Sequence, residues 1–160
     1  MSPEHREILE RMRLSAGVVR RVVETAPPGR FGRPPREGEW LALETLTHLR
    51  DVVVHVFGLR IRRLLYEDAP VFADFEEESF RRARLARGEA VGDLLDTIVA
   101  EHEQLARLLR SLPDAEWSRQ GRHPSLVVMS IELLARRVGE HAEEHAAQIA
   151  AAAHAGRDSA

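Results

Sequence analysis

The chain has no cysteine, so disulfides, thiolate metal ligands and a cysteine nucleophile are all excluded. It has no lysine either: all 23 basic residues are arginine, which rules out lysine Schiff-base chemistry. Any thiol that takes part in its chemistry must arrive on another molecule. Basic excess is missing too, since the net charge is −3 and the pI near 6.2, and nucleic-acid binding is not favoured. No apolar run approaches the length of a membrane span, and the first residues carry no apolar core of a leader. The expectation is a cytoplasmic protein with no membrane partner. Glycine-rich phosphate loops are absent, and no serine triad can be assembled. What remains is an ordinary globular composition, 44% hydrophobic and 31% charged over 160 residues. That predicts one domain, over about 1–155, followed by a frayed tail at 156–160.

Helical periodicity dominates. A first helix starts near Pro3, with Ile8, Met12, Val19, Val22 and Ala26 on its stripe, and Pro27-Pro28-Gly29 ends it. A Gly, Pro and Arg-rich loop follows over 29–38. The second helix, from 39 or 40 to 66, is apolar on two sides: Leu46, Leu49, Val53, Phe57, Ile61 and Leu64 on one, Leu41, Thr45, His48, Val52, His55 and Leu59 on the other. Such a helix is central in a bundle or packed on another subunit, and a homodimer is the expectation. Gly58 interrupts it at about 1 kcal/mol relative to Ala, and marks close packing or a bend. A linker with a short helix near 76–84 leads to a third long helix over 89–112, with Ile98, His102 and Leu105 on its seam. After a helical turn at 113–117 and a loop at 121–124, Ser130 caps a last helix running to about 153. With no strand candidate of quality, the fold class is all-α: a four-helix bundle with long connections between helices 1 and 2 and between helices 2 and 3.

The chemistry is in the histidines. On the last helix the core-facing stripe reads Ile131, Leu134, Val138, His141, His145, Gln148, Ala152, turning from aliphatic to imidazole for one turn. Two buried imidazoles must be satisfied, and side chains at i and i+4 can share one divalent ion. The competing reading is a solvated helix end beside Glu140, Glu143 and Glu144. His48 could complete a three-nitrogen site that leaves one coordination position open. Asp51, one turn on, is a candidate base, an outer partner or a surface residue. His55 stands two turns beyond His48, about 10 Å along the axis, too far to share one ion; it is a pocket wall or a core residue. His102 is structural or lines the same cavity. Ala142 follows His141, so the last helix lacks the glutamate of the HExxH proteases.

Taken in order, several segments resemble the DinB-like superfamily of four-helix bundles. They are Gly38-Glu39-Trp40 leading into Glu44-Thr45-Leu46-Thr47-His48-Leu49-Arg50-Asp51, then Arg60-Ile61-Arg62-Arg63-Leu64-Leu65, Gly121-Arg122-His123-Pro124 and His141-Ala142-Glu143-Glu144-His145-Ala146-Ala147-Gln148-Ile149. The resemblance covers nearly the whole chain. It implies a divalent metal, zinc or nickel, held by His48, His141 and His145. It also implies chemistry with low-molecular-weight thiols, as in mycothiol-dependent isomerases and bacillithiol transferases. His102 stands where many relatives carry arginine, and His55 is likewise outside the pattern, so no substrate carries over.

The leading expectation is a divalent-metal-dependent enzyme of thiol S-transferase-like character acting on a small-molecule substrate. Its metal ligands are His48, His141 and His145, its proton acceptor is Asp51, and His55 and His102 make contacts inside the cavity. The alternative is a non-catalytic metal- or small-ligand-binding bundle serving a stress response. A third possibility is a structural protein whose histidines are satisfied by hydrogen bonds.

Overall fold

The computed structural model describes residues 1–33, 36, 39–86, 88–125 and 128–155. The proposed tail at 156–160 lies outside them. Four helical rods make up the bundle. Helix α1 (Pro3–Thr25) begins where Ser2 accepts a hydrogen bond from the His5 amide, with proline in the first turn. The second rod is a continuous helix in three parts: α2 (Ala42–Asp51), a π-helical segment (Val52–Gly58) and α3 (Leu59–Tyr66). At its start the Glu44 carboxylate turns back to the Leu41 amide, satisfying one of the donors a helix N-terminus leaves free. The short α4 (Glu77–Leu85) follows, then α5 (Val91–Arg110) and α6 (Ile131–His154). Ser130 caps α6 by accepting from the Leu133 amide, as its position before the apolar stripe predicts.

Both α1 and α2 pack against α5 and against α6, while among the described residues no comparable contact joins α1 to α2 or α5 to α6. The first and second rods, and the third and fourth, therefore sit across diagonals of the bundle, while the second and third are neighbours. A diagonal cannot be crossed by the tight loop of an antiparallel pair, which accounts for the long first and third connections, and the second carries α4. Met12, Leu46, Ile98, Leu105 and Ile131 are fully buried where the four rods meet.

Two features depart from the sequence expectation. Residues 120–130 contain a two-stranded antiparallel sheet, β1 (Gln120–Arg122) and β2 (Val128–Ser130), where no strand was expected. Its Gly121 lies under Phe72, so close that a Cβ would stand 2.8 Å from the ring. The second departure is the π segment. Each i→i+5 turn takes in about one residue more than an α-turn. Thr45 and Val52 of the second stripe are buried and His55 and Leu59 turn outward, while the first stripe stays buried on both sides of the segment at Leu49, Val53, Ile61 and Leu64. Of the surplus apolar face expected on this rod, Leu59 and Tyr66 are the large side chains left exposed. No described helix is long and apolar enough to cross a membrane.

Candidate metal centre

The diagonal arrangement puts α2 beside α6, and His48 of α2 meets His141 and His145 of α6. One ring nitrogen from each of the three lies within 4.8 Å of the others. His141 Nε2 and His145 Nε2 are 3.0 Å apart, and the His48 ring centroid is 4.8 Å from that of His145 and 5.5 Å from that of His141. Phe57, from the π segment, sets its ring edge-on to His141 at 5.5 Å, and Trp40 does the same to His48 at 5.7 Å.

Burial keeps these rings neutral. His141 is pushed down to about 3, first by desolvation and then by its neighbours His145, His48 and Arg137. His48 is lowered by desolvation and by His145, against an opposing pull from Glu77. His145 is lowered by desolvation, opposed by its bond to Gln148 and by Glu144 and Glu77. Neutral imidazole is the form that binds a metal.

The donor set fits a divalent ion. Gln148 Oε1 lies 2.7 Å from His145 Nδ1, and an amide oxygen only accepts, so Nδ1 carries the proton and Nε2 the lone pair. Two imidazole nitrogens at about 2.0–2.1 Å from one tetrahedral ion stand about 3.3 Å apart, near the 3.0 Å between His141 and His145. His48 Nδ1 is buried and has no hydrogen bond, although Glu77 Oε1 is 3.2 Å away, off the alignment a hydrogen bond requires. Beside the cluster is a cleft of about 350 Å³, lined among others by Arg36, Glu39, Trp40, Thr45 and Gln148.

The glutamates around the pair are not loose solvent groups. Arg11 of α1 reaches Glu140 and Glu143 and so links α6 to α1, while Arg137 reaches Glu140 and Glu144 within α6.

The other residues singled out by the sequence lie apart from this cluster. Asp51 is buried and accepts a 2.8 Å hydrogen bond from Arg50 Nε, while Arg50 makes a two-pronged pair with Glu89 at 3.0 and 2.6 Å. This chain of charges ties the segment before α5 to α2. His55 is exposed against Phe80, in a separate cleft with Arg60 and Phe75. His102 is fully buried, its Nδ1 donating to the Ile98 carbonyl at 2.8 Å, on the side of α5 that meets α1. Neither belongs to the three-histidine group. Two residues without a role in the sequence reading do reach it. Gln148 had a signal, since it continues the His141–His145 stripe; Glu77 had none, because it comes from another helix.

Residues 11–149 match the DinB superfamily. The chain belongs to that superfamily. Among curated proteins it is 29% identical over 120 residues to one from Geobacillus thermodenitrificans named "Putative metal-dependent hydrolase". It is 28% identical over 118 residues to a second of that name from Geobacillus kaustophilus. These matches take in 72% and 73% of this chain but 65% and 66% of the relatives, just under two thirds of their length. Among solved structures, YfiT from Bacillus subtilis is described as "a probable metal-dependent hydrolase with an unusual four-helix bundle topology". It superposes with a TM-score of 0.79 at 20% identity, covering 93% of this chain and 87% of that one. The likeness establishes the fold, the DinB-like four-helix bundle expected from the sequence.

Proposed function

We propose that this protein is a divalent-metal-dependent enzyme in which His48, His141 and His145 hold the ion, and that it activates a small nucleophile for attack on an electrophilic substrate. The observation that carries the reading is the convergence of three neutral, largely buried imidazoles, two with Nε2 turned to the same point. Bound there, a zinc- or nickel-like ion supplies a Lewis acid with an open position, which lowers the pKa of a water or thiol. Gln148 holds the His145 tautomer, and Phe57 and Trp40 screen the rings of His141 and His145's partner His48 from bulk water. The adjoining cleft, with Arg36, Glu39 and Gln148 on its walls, has room and polarity for a small charged substrate.

Two nucleophiles suit such a site. A low-molecular-weight thiol would make the protein an S-transferase, and a chain without cysteine leaves that role to a cosubstrate. Water would make it a hydrolase, the activity in the names of the curated relatives.

The test begins with metal content by plasma mass spectrometry on untagged protein, wild type beside His48→Ala, His141→Ala and His145→Ala. We expect about one ion per chain in the wild type and its loss in each variant. Loaded protein is then assayed on activated esters and amides with water alone, and on electrophiles with small thiols. Metal-dependent turnover in one arm identifies the nucleophile. No metal after reconstitution with zinc, nickel, manganese or iron would overturn the reading, as would full turnover by a metal-free His48→Ala variant.

A further inference from the structure

We propose that Glu77, on the short helix α4 outside the four-rod bundle, is a positioning residue for His48: its carboxylate accepts from Nδ1–H and so turns Nε2 of that ring toward the ion. This rests on the metal-binding reading above and adds to it a residue from a fifth helix.

The two rings on α6 set the pattern. His145 presents Nε2 inward and holds Nδ1 against Gln148 Oε1 at 2.7 Å. His141 likewise presents Nε2 inward, with Nδ1 3.8 Å from Glu144 Oε2. His145 thus has a hydrogen-bonded acceptor oxygen behind it, the usual outer arrangement around metal-bound histidine, and His141 has a carboxylate nearby, beyond hydrogen-bond reach. His48 comes from the opposite rod, and α6 provides no such oxygen for its Nδ1. That nitrogen is buried without a hydrogen bond, a state that is costly if left so. Glu77 Oε1, 3.2 Å from it, needs only a change of angle to accept its proton.

Glu77 is placed for this by local structure. It is the first residue of α4, its amide is bonded to the Phe75 carbonyl, and α4 packs along α2. The Glu89–Arg50–Asp51 chain anchors the far side of the α4 connection to the same rod. A half-exposed carboxylate held at both ends of its segment can reach the ring without itself being buried.

The test uses zinc as the probe and the full chain. Zinc affinity is measured by competition with a chromogenic chelator for wild type, Glu77→Ala, Glu77→Gln and, as a control on the same helix, Glu78→Ala. We expect Glu77→Ala to weaken zinc binding by about 10–100-fold. Glu77→Gln, which keeps an acceptor oxygen as Gln148 does for His145, should stay within a fewfold of wild type, and Glu78→Ala should match it. Independently of any variant, ¹⁵N NMR of zinc-loaded wild type should show His48 protonated at Nδ1 and bound through Nε2. The proposal is overturned if Glu77→Ala binds zinc as wild type does, if Glu77→Gln is as weak as Glu77→Ala, or if His48 is bound through Nδ1. Wild type that takes no zinc at all would bring down the metal reading itself, an outcome distinct from tight binding indifferent to Glu77.

Discussion

Replacing Gly58 with alanine should destabilise the protein, although alanine is the better helix former. Gly58 closes the π segment, and a Cβ there would collide with the Glu101 carboxylate. It would also stand 2.8 Å from Arg62 Nη1 and 2.8 Å from the Val53 carbonyl oxygen. The Val53 atom is backbone and cannot swing away. Glu101 is 8% exposed and pairs with Arg62 through both oxygens, so displacing it weakens charged hydrogen bonds at a buried acceptor. Overpacking costs about 1–3 kcal/mol and the weakened pair about 1.5–3 more, against a gain of about 1 from helix propensity. The net is a loss of about 1.5–5 kcal/mol, read as a lower urea midpoint at unchanged m-value. In a Glu101→Ala background the carboxylate part vanishes, and the Gly58→Ala penalty should shrink to about 1 kcal/mol. Because Phe57 packs on His141, the loaded protein should also hold its metal less tightly. A Gly58→Ala protein as stable as wild type, or a penalty unchanged by Glu101→Ala, would refute the reasoning.

Other consequences can be measured with the same denaturation assay. With metal removed by chelator, His141 titrates at about 3 in the folded chain and near 6.5 unfolded, so above pH 6.5 both states are neutral and the group is silent. As pH falls below that value the unfolded chain takes up the proton first; stability is lost between about pH 6.5 and 3, and more steeply in wild type than in His141→Gln. Equal slopes would show that the ring is not held neutral. Trp117, 1% exposed and stacked on His5 at 4.0 Å, should cost about 3–5 kcal/mol when changed to alanine, visible as a drop in Tm. Asp51→Ala should lower stability by about 1.5–3 kcal/mol through the lost hydrogen bond to the buried Arg50, which keeps its pair with Glu89, while metal content by mass spectrometry stays that of wild type. Gln148→Ala should weaken zinc binding by about 10–100-fold with little change in the urea midpoint.

Much of this was legible beforehand because the rods announce themselves. Pro3 marks a helix start by lacking an amide that would go unbonded, Ser130 marks one by accepting from an amide, and Pro27-Pro28 marks an end. The three histidines were legible because α6 keeps an unbroken α period through His141 and His145, and because His48 comes before the π segment. His55 and Leu59 face outward because the first stripe, buried on both sides of the π segment, takes the core side of the rod, and apolar residues on a second face do not by themselves imply burial. The hairpin was hidden by its size: three-residue strands carry too little alternation to read, and the need for Gly121 under Phe72 is a tertiary fact. Glu77 was hidden because nothing local relates α4 to a ring on α2.

The origin of the three rings also bears on how the protein is made. Synthesis delivers α2 before α5, the hairpin and α6, so between α2 and α6 a growing chain carries one of the three imidazoles. Until α6 has emerged and docked, nothing in the nascent chain competes with cellular chelators for a metal through this site. On the proposed reading, loading follows the docking of α6, since a product that stops before it holds one of the three ligands.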